Sequence, residues 1–155
     1  MTLTNEVEVL RNIPLFANIE PAKLKLMAFT SNRLEYLSGE ELFHQGDYGD
    51  AAYIILEGQA EILVDTPKGT VEVAMLRRND IIGEIAILRD VPRTATVVAH
   101  DNLEVLRVSR DAFFHLVTQF PQVGIEVMRV LAMKLHRTTE SLTAARAKLD
   151  ELDNG

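Results

Sequence analysis

The spacing of hydrophobic residues changes twice along the chain, from helical at the start to β-like in the middle and back to helical near the end. The first part predicts two N-terminal helices within residues 1–32. Asn5 is expected to cap the first helix and Pro14 to end it, and the second helix begins at Pro21, a residue suited to a first helical turn. The apolar residues at helical spacing are Val7, Leu10 and Ile13 in the first helix and Leu24, Met27 and Ala28 in the second.

Short apolar runs alternate with turn signals between residues 33 and 108. The signals are Ser38-Gly39, Gly46-Asp47-Tyr48-Gly49-Asp50, Glu57-Gly58, Pro67-Lys68-Gly69, Arg78-Asn79-Asp80 and Asp101-Asn102. Turn residues at this spacing are typical of many short antiparallel strands that form a sandwich or roll. The sequence therefore predicts a β-roll over 33–108 and, with the flanking helices, an α+β fold.

The helical period returns after Ser109 and predicts helices over 110–152, with a hinge at Phe120-Pro121. The longest periodic run consists of Met128, Leu131, Leu135, Thr138, Leu142, Ala145, Leu149 and Leu152. A 3-4 spacing kept for more than three heptads is typical of a coiled-coil seam, so we expect a parallel homodimer through this helix. The alternative is a single helix that packs on its own roll.

Length and composition narrow the class of protein. With 155 residues, 47% of them apolar, the chain has the size and hydrophobicity of one folded domain, 1–155. It has no Cys, which excludes disulfides, iron–sulfur clusters and thiolate-bound zinc. It also lacks an apolar run long enough to cross a membrane and a stretch resembling a signal peptide, so we expect a cytoplasmic protein without membrane contact.

The segment 82–97, Ile-Gly-Glu-Ile-Ala-Ile-Leu-Arg-Asp-Val-Pro-Arg-Thr-Ala-Thr-Val, carries the clearest chemistry. Gly83 permits a sharp turn, and a short helical turn from Glu84 to Leu88 would present free N–H groups to an anion. The planar fork of Arg93 can bind two phosphate oxygens at once, and Thr94 adds a hydroxyl beside it. Since a carboxylate repels phosphate, Glu84 is suited to a sugar hydroxyl. The segment therefore favours a ligand with both a phosphate and a ribose; the alternative is a surface loop in which Glu84 and Arg93 only pair with each other.

This segment resembles the phosphate-binding cassette of cyclic nucleotide-binding domains, the family of bacterial catabolite activators and protein kinase regulatory subunits, and 82–97 is called the cassette below. The resemblance rests on Gly-Glu-x-Ala followed, five residues later, by Pro-Arg-Thr-Ala-Thr-Val, and it extends from about Leu10 to Leu142. It implies an antiparallel double-stranded β-helix, jelly-roll-like, with Glu84 on the ribose 2′-OH and Arg93 on the cyclic phosphate. The implied pocket also includes Ile82, Gly83, Ile85, Ala86, Thr94 and Ala95.

The C-terminal helix has a second point of resemblance. Thr138 and Thr139 match the place where hydroxyls of the catabolite activator's central helix contact adenine, one from each subunit. Lys134, one turn earlier, occupies a basic position that can reach Glu84 and the ligand. We expect the Thr138 hydroxyl to be imperfectly satisfied in the ligand-free dimer, because a hydroxyl buried in a seam needs a partner. The resemblance thus implies cAMP, although Thr94 after Arg93 is the cGMP-favouring residue in kinase relatives, which keeps cGMP as an alternative.

Other classes of function fit the sequence less well. The four histidines lie singly, without the His-x-His spacing of a metal site, and no nucleophile motif is present, so we expect neither a metal, a cofactor nor an enzyme. A haem sensor of the same broad family would not need both Glu84 and Arg93. The net charge of −7, with 16 Lys and Arg against 23 Asp and Glu, argues against DNA binding.

The expected function is a cyclic nucleotide receptor that closes its C-terminal helices on the ligand, with Ile87 relaying the movement, and signals to a protein partner. The chain stops at Gly155 after the predicted dimer helix, so we expect a complete protein without a helix-turn-helix. The alternatives are a dimerisation module with a vestigial pocket, or one domain of a longer channel, transporter or enzyme.

Overall fold

The computed structural model describes residues 3–154 and the side chains of 5–153; Met1, Thr2 and Gly155, at the ends of the predicted domain, lie outside the described residues. Within that range the helices are α1 Leu3–Arg11, α2 Pro21–Phe29, α3 Arg110–Gln119 and α4 Pro121–Asn154, with 3-10 turns at Pro14–Phe16 and Glu84–Ile87. The strands are β1 Asn32–Tyr36, β2 Glu41–Phe43, β3 Ala51–Glu57, β4 Ala60–Thr66, β5 Gly69–Leu76, β6 Ile81–Ile82, β7 Thr96–Ala99 and β8 Leu103–Ser109.

The strands form two antiparallel sheets of four, in the orders β1-β8-β3-β6 and β2-β7-β4-β5. Strands adjacent in sequence are therefore mostly separated in space, and the chain passes repeatedly from one sheet to the other, which makes the jelly-roll fold predicted for 33–108. Strand β3 shows how the core is arranged, because it is buried continuously from Ala51 to Leu56. Its alternate residues enter two cores: Ala52, Ile54 and Leu56 pack under the helices, whereas Tyr53 and Ile55 pack inside the roll.

The helix boundaries follow prolines and one serine. Pro21 is the first residue of α2, and Pro121 is the first residue of α4 after a non-helical Phe120. Ser109 caps α3 by accepting a hydrogen bond from the N–H of Ala112 at 3.1 Å. The prediction for Asn5 was wrong: α1 starts before it, and its side chain accepts a hydrogen bond from Arg78 instead of capping the helix.

The apolar packing of the described part of α4 lies along its first third. Val123 and Val127 are buried in the core under the helices, and Leu131 packs partly against it. From residue 132 to 153 every side chain is exposed, and five of these form most of the remaining predicted seam: Leu135, Thr138, Leu142, Leu149 and Leu152. The seam is thus an uncovered apolar stripe in the single chain. Within the part of the chain that the structure describes, no helix combines the length and the apolar run needed to cross a bilayer.

Candidate ligand-binding site

The cassette enters the site through strand β6, whose Ile82 pairs with Tyr53 of β3. Gly83 follows in the left-handed conformation, with φ +72°, and the chain then turns through Glu84–Ile87. Ala86 and Ile87 are buried, and Ile87 belongs to the core under the helices. The turn is therefore fixed to the helical layer by its apolar residues, while Ile85 is exposed and Glu84 is half-buried.

Arg93 lies at the centre of the site and is only 8% exposed. Its Nη2 donates a hydrogen bond to the carbonyl oxygen of Ala51 at 2.7 Å, and its guanidinium lies 4.1 Å from the centre of the Phe43 ring. Gly49 and Gly83 border this guanidinium so closely that a Cβ on either residue would overlap it. The guanidinium is buried in a slot between the two glycines, called the Arg93 slot below.

The charge of Arg93 has no carboxylate partner within ion-pair distance among the described residues, and its Nε has no hydrogen-bond acceptor. Burial lowers the pKa of the guanidinium, and the charges of Tyr53 and Asp50 oppose that effect. A buried cation held by one backbone carbonyl is costly unless an anion completes its coordination. The geometry is therefore that of an anion site with its positive group already in place.

Two cavities meet at the Arg93 slot, and both are lined by Gly83, Arg93 and Thr94. One, of about 260 Å³, is bordered by Glu84, Ile85, Ala86, Val91 and Pro92. The other, of about 320 Å³, is lined by apolar residues of both sheets, among them Phe43, Ile62, Leu76 and Val97 of one sheet and Ile82 of the other. Together they have the dimensions of a site for a small organic ligand, roughly 300–1,000 Å³.

Glu84 carries the negative charge of the site. Its Oε1 accepts a hydrogen bond from Lys134 Nζ of α4 at 2.7 Å, while its Oε2 is buried without a donor. An ion pair confined to Glu84 and Arg93 was the alternative considered from sequence, and the structure has Glu84 paired with Lys134. The carboxylate thus has one oxygen fixed by the helix and one buried acceptor left open.

The hydroxyls of Thr138 and Thr139 bond back to their own helix. Thr138 Oγ1 donates to the carbonyl of Lys134, and Thr139 Oγ1 donates to that of Leu135, both at 2.9 Å. The predicted imperfect satisfaction of Thr138 concerned the ligand-free dimer and stays a prediction; in the single chain the hydroxyl proton already has a partner. The oxygen of each hydroxyl can still accept a further hydrogen bond.

The structure brings eight of the eleven predicted site residues together around the Arg93 slot: Ile82, Gly83, Glu84, Ile85, Ala86, Arg93, Thr94 and Ala95. Lys134 joins them through Glu84. In the single chain the hydroxyls of Thr138 and Thr139 make no hydrogen bond to the cassette. Sequence reasoning missed Gly49, Ala51 and Phe43 as contacts of Arg93. The sequence hint for these contacts was Gly49 itself, the second glycine in the predicted turn 46–50.

Arg110, another residue that sequence reasoning missed, braces the cassette. Its Nε donates to the carbonyl of Ala86 at 2.9 Å, and its Nη2 donates to the carbonyl of Gly49 at 3.0 Å and to Asp90 Oδ1 at 2.6 Å. Arg110 is the first residue of α3, so its hydrogen bonds connect the cassette and the loop at Gly49 to the start of that helix. No sequence signal distinguished it from a surface arginine.

Comparison with known proteins identifies relatives of this arrangement. A family model described as the cyclic nucleotide-binding domain matches residues 33–120. The chain is 34% identical over 108 residues to a cAMP-dependent protein kinase regulatory subunit of Aspergillus fumigatus, a match that covers 70% of this chain and 26% of the relative. It is 26% identical over 136 residues to a CRP-like cAMP-activated global transcriptional regulator of Mycobacterium tuberculosis, covering 87% and 61%. The chain thus spans less than two thirds of either relative.

Among solved structures, the N-terminal domain of a transcriptional regulator from Streptomyces coelicolor A3(2) is similar in fold. It superimposes with a TM-score of 0.82 at 27% identity, over 86% of this chain and 94% of that one. The two antiparallel sheets and their flanking helices therefore match an architecture already observed by experiment, which confirms the predicted fold class.

Proposed function

The chain belongs to the cyclic nucleotide-binding domain family, and from that premise we propose that it is a cAMP receptor that signals through its C-terminal helix. The named relatives are regulatory proteins described as cAMP-dependent or cAMP-activated, which supports cAMP as the ligand and a regulatory, non-enzymatic role. No cofactor is part of this proposal.

The observation that carries the proposal is the buried, uncompensated guanidinium of Arg93. Nη2 is held by Ala51, whereas Nε has no acceptor, and the slot opens on two cavities. A cyclic phosphate that enters there supplies an anion for the charge of Arg93. Thr94 lines the same two cavities and adds a hydroxyl for the phosphate. Glu84 complements it, because its open Oε2 can accept a hydrogen bond from the ribose 2′-OH while Lys134 holds Oε1.

The bonding of Thr138 favours adenine over guanine. Because its proton is already given to the Lys134 carbonyl, the hydroxyl can only accept a further hydrogen bond. The 6-amino group of adenine is a donor, whereas the 6-oxo group of guanine is an acceptor. Thr138 lies one helical turn beyond Lys134, about 6 Å along the axis on the same face. A base stacked above a ribose on Glu84 would therefore meet Thr138, from this chain or from a second copy.

The proposed output is a change in the packing of α4, read by a protein partner or within a homodimer formed along the exposed seam. Ile87 supports this route because it lies in the cassette turn and is fully buried among residues of the helical layer. The non-helical Phe120 between α3 and α4 supplies the hinge. The apolar stripe from Leu135 to Leu152 supplies the surface on which two copies would pair.

Calorimetric titration of the parent and of Arg93→Ala with cAMP and cGMP tests the proposal. Losing a buried charged partner costs on the order of 2–5 kcal/mol, so Arg93→Ala should bind cAMP at least about thirtyfold more weakly. Arg93→Lys should recover little of that loss, since it keeps the charge without the two-pronged geometry.

Equal binding by the parent and Arg93→Ala would contradict the assigned site. A parent that binds no cyclic nucleotide, and whose melting temperature does not rise with saturating cAMP, would instead identify a dimerisation module with a vestigial pocket. Tighter binding of cGMP than of cAMP would refute the preference for adenine inferred from Thr138. It would instead indicate that Thr94 selects the base.

A further inference from the structure

An ion pair at the edge of the Arg93 slot involves an acid that could have neutralised Arg93. Asp50 lies between Gly49, which borders the guanidinium, and Ala51, whose carbonyl accepts its hydrogen bond. The Asp50 carboxylate nevertheless bonds elsewhere: its Oδ1 accepts from Arg107 Nη2 at 2.7 Å. An acidic side chain that directly follows one contact of Arg93 and precedes another is thus held by a different arginine.

Arg107 reaches this position because of strand register. It lies on β8 directly opposite Tyr53 of β3, so the two side chains share one face of the sheet. The centre of the Tyr53 ring is 5.9 Å from Arg93 Cζ, so Arg107 on β8 and the guanidinium of Arg93, which comes from the cassette loop, both lie beside Tyr53. Both ends of the Asp50–Arg107 pair act on Arg93: after the dominant effect of burial, Asp50 raises and Arg107 lowers the pKa of its guanidinium.

We propose that Arg107 is a positioning residue for the ligand, which holds the Asp50 carboxylate away from Arg93 and so keeps Arg93 free for an incoming phosphate. This inference rests on the proposed function, since it concerns the same anion site. The mechanism is one of competition: a carboxylate released at Asp50 has Arg93 as its neighbour, and an internal ion pair there must be broken before an external anion can bind.

A double-mutant cycle separates this mechanism from a plain attraction between Arg107 and the ligand. The four proteins are the parent, Arg107→Gln, Asp50→Asn and the variant with both changes, each titrated with cAMP. Arg107→Gln should weaken binding by about tenfold or more, corresponding to one charged hydrogen bond that must be exchanged. Asp50→Asn should bind within about twofold of the parent, because the asparagine cannot neutralise Arg93, and adding it to Arg107→Gln should restore most of the lost affinity.

Two results would overturn the inference while leaving the proposed function standing. One is an unchanged affinity of Arg107→Gln in a parent that binds cAMP. The other is a double variant as weak as Arg107→Gln alone, which would mean that the Arg107 charge acts on the phosphate directly. Rescue by Asp50→Asn is not expected from a merely structural role of Arg107, because removing both partners of an ion pair repairs no packing.

A ligand-free crystal structure of Arg107→Gln provides a readout that does not depend on cyclic nucleotide. It should have the Asp50 carboxylate within ion-pair distance of the Arg93 guanidinium, and a carboxylate left in solvent would refute the exchange. If all four proteins failed to bind any cyclic nucleotide, the proposed function would be refuted. The proposed role of Arg107 in phosphate binding would be refuted with it, whatever the position of Asp50.

Discussion

The Arg93 slot depends on a glycine far from it in sequence, and replacing that glycine is a sharp test of the site. Gly49 has an ordinary backbone conformation, outside the left-handed region, so alanine is compatible with its backbone. A Cβ at this position would nevertheless overlap Nη2, Cζ and Nε of Arg93. Gly49→Ala should therefore displace the guanidinium and break its 2.7 Å hydrogen bond to the Ala51 carbonyl.

The size of the effect follows from the contact that is lost. A hydrogen bond made by a charged group contributes about 1.5–3 kcal/mol, and the displaced cation no longer faces the cavities, so cAMP should bind roughly tenfold to a hundredfold more weakly. Isothermal titration of Gly49→Ala against the parent measures this loss.

The matched control is Gly49→Ala in an Arg93→Ala background, where the methyl group has nothing to strike. The two changes together should bind cAMP no more weakly than Arg93→Ala alone. Parent-like affinity of Gly49→Ala would refute the steric argument, and an additional loss in the Arg93→Ala background would show that the methyl group acts through something other than the guanidinium.

Three further predictions concern other parts of the molecule. Glu84→Gln should weaken cAMP binding by about 1.5–3 kcal/mol but hardly affect the 2′-deoxy analogue, and equal losses in paired titrations would contradict a ribose contact. Leu142→Asp should convert a dimer into a monomer in sedimentation velocity by placing like charges across the seam, whereas Ala147→Asp, off the seam, should not; identical sedimentation of Leu142→Asp and the parent would exclude this interface. The hydrogen bond that His100 Nδ1 donates to the Glu61 carboxylate raises the pKa of His100 above 6.5. This pair should therefore stabilise the fold most fully below about pH 6.5 and less as pH rises through the raised value. Urea unfolding of the parent and His100→Asn across pH should give a difference in unfolding free energy that shrinks toward alkaline pH, and a difference independent of pH would refute the assignment.

The local features of the fold were predictable because they depend on residues close in sequence. Pro21 and Pro121 start helices at the expected positions, since proline suits a first turn and interrupts a preceding helix. Glu84–Ile87 forms the short turn expected after Gly83. Asn5 shows the limit of this reasoning, because a residue with good capping chemistry lies inside a helix that begins earlier in the chain.

The surroundings of Arg93 were beyond sequence reasoning because they come from distant strands. Phe43, Gly49 and Ala51 precede Arg93 by more than forty residues, and only the pairing of the sheets brings them together. Thr138 shows a different limit: the sequence gives the residue type and its helical face, but whether a hydroxyl bonds to its own helix is a choice of rotamer.

The long helix after Phe120 has a mechanical consequence. At 34 residues, α4 extends about 51 Å from Pro121, and Pro121 has no N–H with which to continue the hydrogen-bond ladder of α3. A rotation of only about 10° at that joint would carry the far end of a rigid α4 through about 9 Å, given the same rise per residue. In the proposed mechanism the helix would therefore act as a lever arm, and a shift at the cassette too small to disturb the roll would become a displacement about as wide as a neighbouring helix.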